Sequence, residues 1–296
     1  MQVQGPEAQV KGKESVIALH PSAYLEILRP INGAMAALGV VIGAAVIGVT
    51  FPLPLEFFVA IAITFMVSGA GMVVNDYFDY NIDRINRPKR PLPSGRMSRK
   101  SAKLYAGALY LVSNLLAIFL LNTYLAALTF FNTLVTYFYA ENLKKRPIGH
   151  MAVGWLAAST FLYGGLLLGF VSPIIMILVA VAFFSNLGRE ITKAIEDMRG
   201  DRKYHIRSIP ITIGTTASRQ ITSIFIVIAI ILSFIPYIMN VSGITELFGM
   251  YYLLVVILAD FIFLYSIYII KNVTRSQKMM KIAMFVVLLA FLAGLV

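Results

Sequence analysis

The chain has 296 residues, 59% of them hydrophobic and only 13% charged, with a net charge of +11 and a mean hydropathy of +0.81. Water-soluble domains carry close to twice that share of charge, so a soluble enzyme is excluded, and so much apolar sequence excludes a single-anchor protein. Cysteine is absent and the only imidazoles are His20, His150 and His205, which rules out disulfides, iron-sulfur clusters and thiolate metal sites, so that any metal must be held by oxygen ligands.

Residues 1–20 are polar, carry Lys11 and Lys13 and lack an apolar h-region, which predicts an uncleaved N-terminal tail ahead of one membrane domain over 21–296. Long apolar runs predict membrane helices near Leu25 to Val49, Leu55 to Asn75, Leu104 to Leu121, Thr123 to Tyr139, Met151 to Phe170, Ser172 to Leu187, Ile221 to Met239, Met250 to Ile270 and Ile282 to Val296. The expectation is an all-α polytopic membrane protein with nine transmembrane helices. Lysine and arginine collect in the segment through Arg29, in Arg84 to Lys103, Lys144 to Arg146, Arg189 to Arg219 and Lys271 to Lys281, all on one side of a nine-span layout. The opposite loops, Thr50 to Pro54, Asn122, Val171 to Pro173 and Asn240 to Phe248, contain neither residue. The positive-inside rule then predicts a multi-pass protein of the cell membrane with a cytoplasmic N-terminus and an external C-terminus. The basic balance is met by topology, membrane lipids and anionic ligands, and calls for no nucleic acid and no protein partner.

Acidic residues gather at the cytoplasmic ends of two of these helices. The first cluster reads Asn75, Asp76, Tyr77, Phe78, Asp79, Tyr80, Asn81, Ile82, Asp83. At 100° per residue, Asn75, Asp79 and Asp83 fall within roughly 80° of one another, an oxygen-rich stripe flanked by Asp76. The second runs from Arg189 to Asp201, and there Glu190, Lys193, Asp197 and Asp201 share a face while Glu196 points elsewhere. Like charges one turn apart destabilise a helix unless a cation lies between them. Hard oxygen ligands suit Mg²⁺, which keeps several waters and is usually completed by substrate phosphates. Arg84, Arg87, Lys89, Arg90 and Arg96 follow the first stripe and Arg199, Arg202, Lys203 and Arg207 the second, cations that complement diphosphate oxygens. A solvated, salt-bridged rim would account for one such cluster but less readily for two with the same spacing.

Each cluster follows the second helix of a four-helix half, with a basic loop next, which suggests parallel repeats about an axis normal to the membrane plus one further helix. The residues of the first cluster match NDxxDxxxD, the first motif of the UbiA superfamily of intramembrane prenyltransferases. Asn86-Arg87-Pro88-Lys89-Arg90-Pro91-Leu92-Pro93-Ser94-Gly95 resembles the family loop NRPxRPLxxG, and Asp197-x-x-x-Asp201 its second, DxxxD motif. Arg29-Pro30-x-Asn32 and Tyr139-x-x-x-Leu143-Lys144-Lys145 are similar to family segments as well.

The resemblance implies nine helices around a central cavity and prenyl transfer from an allylic diphosphate, with Mg²⁺ as cofactor. It implies Asp79, Asp83, Asp197 and Asp201 as catalytic groups, with Asn75 joining them as metal ligands. Asn32, Asp76, Arg90, Tyr139, Lys144, Glu190, Lys193 and Arg207 become the expected substrate-binding groups. Such a reaction builds charge on the leaving diphosphate, where metal and cations stabilise the transition state above the ground state. An aromatic, water-free pocket can shelter the carbocation, and Tyr139 is a pocket candidate that an interfacial structural role would explain equally well.

Family members use aromatic acids and phenols, haem, chlorophyllide or a prenylglyceryl phosphate as acceptor. Lys193 in the second motif suits an acceptor phosphate, unless it serves only in a salt bridge to Glu190 or Asp197. The run Arg189 to Asp201 and Ser208-Ile209-Pro210 most resemble the members that use geranylgeranylglyceryl phosphate, a lipid-like acceptor from archaeal-type ether lipid synthesis. An aromatic quinone precursor is the alternative. A secondary transporter is the competing class, although transporter sites lie near the midplane, where the only charge here is Asp260. Gly39-x-x-x-Gly43 and Gly165-x-x-x-Gly169 are expected to mark close helix packing, and His150 and His205 to be solvated loop residues.

Overall fold

The computed structural model describes residues 21–203 and 206–295; the tail over 1–20, His20 and His205 lie outside them. Among the described residues all regular structure is helical. In chain order the elements are α1 (Pro21–Leu28), α2 (Pro30–Val46), α3 (Leu55–Phe78), α4 (Tyr80–Asn86), α5 (Arg99–Leu120), α6 (Thr123–Glu141), α7 (Ile148–Gly165), α8 (Pro173–Lys203), α9 (Ile209–Ile213), α10 (Thr215–Ser233), α11 (Ile235–Val241), α12 (Met250–Tyr268) and α13 (Val273–Ala293). Each apolar run of the sequence falls on helical structure, although Leu25 to Val49 and Ile221 to Met239 are each divided between two helices. Among the described residues six stretches are long and apolar enough to cross a bilayer, α3, α5, α8 to Met198, α10 with α11, α12 and α13. A seventh results when α1 and α2 are joined across their 49° bend.

The expected continuous helix from Leu25 is therefore broken. Arg29 adopts a left-handed backbone (φ 52°, ψ 68°), and Pro30, whose ring fixes φ and lacks an N–H, begins the next helix at the position proline favours.

Helices α6 and α7 are not among the six, and side-chain hydrogen bonding explains why. Thr129 bonds with Tyr163 (2.7 Å), and Thr136 with Tyr110 (3.0 Å). Asn132 donates to Ser159 (3.1 Å) and accepts from Trp155 (2.9 Å). The polar groups that lower the hydropathy of these helices are thus satisfied between helices, where such bonds hold apolar bundles together. Small residues do the same for α2 and α7. A Cβ on Gly39 would sit 2.1 Å from Thr160 Oγ1, one on Gly43 2.2 Å from Phe161 O and one on Gly164 2.0 Å from Val40 O. Gly169 does not share this role, since it sits at φ +79° with open space around it and shapes a turn.

Helix α8 matters most for the site. Its 31 residues span about 46 Å at 1.5 Å per residue, well beyond the ~30 Å hydrocarbon core, so its polar C-terminal turns project past the apolar window and carry the second acidic motif. The largest buried cluster joins α2, α7, α8, α10, α12 and α13, including Ile42, Leu178, Ile226 and Phe263.

Candidate active site

The first acidic motif sits where α3 gives way to α4. Asp79 lies between the two helices (φ −85°, ψ 5°), yet the four-residue hydrogen-bond rhythm continues, with Asp79 N–H donating to Asn75 O (2.9 Å) and Asp83 N–H to Asp79 O (2.8 Å). The side chains nevertheless part into two groups. Asp76 and Asp83 are buried, at 2% and 5% exposure, and buried carboxylates require cationic partners. Arg90 donates to both, at 3.1 Å and 2.6 Å, and Arg29 donates to Asp76 at 2.5 Å. The expected single stripe is corrected accordingly, because Asp83 turns to the network around Asp76 and leaves Asn75 and Asp79 as a separate pair.

Arg90 can reach inward because its loop is folded. Leu92 and Met97 are buried in an apolar cluster with Ile27, Val73 and Ala102. Gly95 takes φ +77°, a left-handed turn that favours glycine. Arg96 forks onto Glu26 (2.6 and 3.0 Å) and donates to Lys89 O (2.7 Å), tying the loop to α1. Arg99 lies over the rings of Tyr77 and Tyr80, at 4.6 and 5.2 Å from their centroids.

The second group is Asn75, Asp79 and Lys144. The Lys144 ammonium donates to Asp79 Oδ1 (2.5 Å) and Asn75 Oδ1 (3.2 Å), while Asn75 Nδ2 donates to Asp79 Oδ2 (3.1 Å). Lys144 stands in a 3₁₀ turn, Leu143–Lys145, pressed against the start of α7, where a Cβ on Gly149 would lie 2.5 Å from Leu143 O. The backbone N–H of Arg207 donates to Lys145 O (2.8 Å) and that of Ile209 to His150 Nε2 (3.5 Å), so the loop after α8 is pinned to the same turn. His150 is thus half-buried at the base of α7, a correction to the solvated loop residue expected. Arg207 engages through its backbone, its side chain exposed; Asn32 is also exposed, with Nδ2 3.9 Å from Met72 Sδ.

The second motif is open. Lys193 and Asp197 are exposed and Asp201 is half-buried. Glu190 is buried and pairs with Arg189. Among the described residues Lys193, Asp197 and Asp201 form no ion pair, so Lys193 is not bound to Glu190 or Asp197 as a structural salt bridge would have it. Glu196 faces away as expected, accepting from Thr274 Oγ1 (2.6 Å) and from Gln277 on α13. Burial raises the Asp201 carboxyl above its ordinary pKa.

Tyr139 is half-buried at the end of α6. The bond from Arg207 N–H to Lys145 O and the Lys144–Asp79 pair bring the loop after the second motif beside the first motif. Among the described residues no three carboxylates or imidazoles close on a common point. The Asn75 and Asp79 oxygens do suit a cation, since an ammonium already lies between them, and a hard divalent ion there would draw its remaining ligands from water and substrate.

Sequence reasoning placed Arg29 in a family-like segment but gave it no role, and it completes the Asp76 network. Pro30 was the available signal, because it marks a helix start and hence a break that turns Arg29 inward. Asp260 is buried on α12, with Ser233 Oγ donating to its Oδ2 (2.9 Å) and no partner on Oδ1.

Fold and site together define a polytopic helical membrane protein with a paired acidic and basic centre at one end of its bundle. The chain belongs to the UbiA prenyltransferase family, whose model matches residues 36–289, and it is a prenyltransferase. It is 37% identical over 284 residues to the digeranylgeranylglyceryl phosphate synthase of Methanococcoides burtonii, covering 92% of this chain and 99% of the relative. It is 36% identical over 279 residues to the protein of that name from Methanocaldococcus jannaschii, covering 92% and 95%. A solved digeranylgeranylglyceryl phosphate synthase structure superposes with a TM-score of 0.80 at 36% identity, over 93% of this chain and 98% of that one. A UbiA homologue from Archaeoglobus fulgidus, bound to GPP and Mg²⁺, shares the fold with a TM-score of 0.67 at 19% identity, over 90% of this chain and 99% of that one.

Proposed function

We propose that this protein transfers a geranylgeranyl group from its diphosphate to geranylgeranylglyceryl phosphate, in a Mg²⁺-dependent step of archaeal-type ether lipid synthesis. The observation that carries the reading is the hydrogen bond that ties the loop after the second motif to the turn of Lys144, whose ammonium meets Asp79 of the first, in a chain that aligns over 92% of its length with relatives named for that synthase.

In this reading Asn75, Asp79, Asp83, Asp197 and Asp201 serve the metal and diphosphate. Asn75 and Asp79 lie nearest a cation position, and Asp197 and Asp201 approach from across the mouth. Asp83, held by Arg90, serves them by fixing the loop behind that position. Bound Mg²⁺ supplies charge neutralisation for the leaving diphosphate. Lys144 and Arg87 offer donors to the same oxygens, and Arg90 holds Asp76 and Asp83 behind them. Tyr139 presents its ring where positive charge develops at the prenyl C1, and cation-π attraction steadies it. Lys193 and Arg207 attract the acceptor phosphate, which leaves the free glycerol hydroxyl to attack C1; its proton departs as the C–O bond forms, to a carboxylate or to the diphosphate. Asn32, Asp76 and Glu190 line or support this mouth.

The same reading makes α6 and α7 membrane spans, with their polar faces turned to neighbouring helices. That brings the count to nine in a single membrane domain over 21–296, arranged as two four-helix halves plus α13. The N-terminal tail and both motifs are then cytoplasmic and the C-terminus external, in keeping with the one-sided distribution of lysine and arginine.

The test is purified protein with geranylgeranyl diphosphate and Mg²⁺, offered geranylgeranylglyceryl phosphate and a hydroxylated aromatic acid in parallel. Product with the glyceryl phosphate alone is expected. Product with only the aromatic acid overturns the acceptor, and no product with either, alongside solute uptake into vesicles, overturns the enzyme reading.

A further inference from the structure

Lys144 is the inner partner of Asp79. Its ammonium lies 2.5 Å from Asp79 Oδ1 and 3.2 Å from Asn75 Oδ1, where a cation bridging the two residues would sit. Both side chains are mostly buried, Lys144 at 15% and Asp79 at 22% exposure, so the pair is poorly screened by water. The lysine is also braced, because its turn is packed on Gly149 and tied through Lys145 O to the loop after α8. A divalent ion ligated by the same two oxygens could not share this space with the ammonium, since both are cations and both need those lone pairs.

The geometry points to Lys144 as an internal counter-ion that closes the Asn75–Asp79 pair in the resting protein and competes with Mg²⁺ for it. The inference rests on the proposed metal role of Asn75 and Asp79 and adds an order of events. Free Mg²⁺ binds weakly because it must expel the ammonium. A diphosphate changes the balance, since its oxygens accept the displaced ammonium while completing the shell of the metal. Metal and diphosphate therefore enter together, and each strengthens the other by the same factor. Lys144 thus has two partners in turn, the Asn75–Asp79 pair in the resting protein and the diphosphate once that ligand arrives.

The test compares wild type, Lys144→Met and Lys144→Arg, each purified in detergent and stripped with EDTA. Mg²⁺ binding is measured calorimetrically with and without inorganic pyrophosphate, and thermal unfolding is followed against free Mg²⁺. Lys144→Met is expected to bind Mg²⁺ alone about tenfold more tightly than wild type, within the usual range of coupling between sites. Its metal-free form should melt at lower temperature and be restored by Mg²⁺, and pyrophosphate should enhance its Mg²⁺ affinity less than it does in wild type. Lys144→Arg, which keeps the charge, should stay close to wild type in all three readouts. If Lys144→Met cannot be kept folded without metal, its unfolding midpoint titrated downward from saturating Mg²⁺ yields the same affinity. Equal or weaker Mg²⁺ binding by Lys144→Met, with wild type binding Mg²⁺ in the presence of pyrophosphate, overturns the inference and leaves the proposed function standing. No Mg²⁺ binding by wild type even with pyrophosphate overturns both.

Discussion

The two acidic motifs answer the same electrostatic problem in opposite ways. At the end of α3 every carboxylate is met from within, Asp76 by Arg29 and Arg90, Asp83 by Arg90 and Asp79 by Lys144. On the overhang of α8 only Glu190 is paired among the described residues, while Asp197 stands exposed and Asp201 half-buried. Desolvated charge must be compensated by the protein itself, whereas exposed charge can wait for a ligand. The first motif is thus a preassembled wall and, in the proposed function, the second is the side from which ligand charge completes the site.

The sharpest way to break this contrast is to remove one carboxylate from each side. Asp79→Ala and Asp197→Ala should each lower prenyl transfer on the order of 10²–10³-fold, the scale of losing one preorganised electrostatic group, while membrane insertion persists. Radiolabelled product and membrane fractionation read the two effects. Retained turnover in Asp197→Ala would remove the second motif from the chemistry.

A smaller but more discriminating effect is expected on stability. Arg90→Met leaves two buried carboxylates short of a partner, at a cost of about 3 to 5 kcal/mol, seen as a lower unfolding midpoint in detergent. Arg202→Met, on an exposed side chain beyond the second motif, should move that midpoint hardly at all. Equal losses would mean that the two motifs are not compensated differently.

Lys193→Gln sharpens the open side further. It should raise KM for the glyceryl phosphate acceptor about tenfold, the worth of one charge-assisted hydrogen bond, with KM for the prenyl diphosphate unchanged. An equal rise for both substrates would place Lys193 on the diphosphate. The smallest effect is expected for Glu196→Gln, because Glu196 faces Thr274 and Gln277 on α13 and is exposed. Its loss should cost less than about 1 kcal/mol and leave turnover intact.

Much of this was legible beforehand for local reasons. A hydrophobic run marks a helix wherever it occurs, and the helical period alone turned Glu196 away from Asp197. The division of the first motif was not legible, since Asp83 follows Arg90, whose direction depends on a loop pinned by Leu92, Met97 and the left-handed Gly95. The break at Arg29 was half legible, in that Pro30 signals a new helix, but the arginine's target on α3 is a tertiary fact. The run Thr123 to Tyr139 was legible as a helix, but the partners of its polar face on α5 and α7 are invisible to a hydropathy sum.

By itself the sequence determined the helices, their apolar lengths and the placement of two acidic motifs at helix ends followed by basic loops, because each depends on residues within a few turns of one another. Only the tertiary structure decided which cation meets which carboxylate. Arg29 and Asp76 are 47 positions apart and Lys144 and Asp79 65, and charge pairing over such separations is set by how helices pack in three dimensions, not by spacing along the chain.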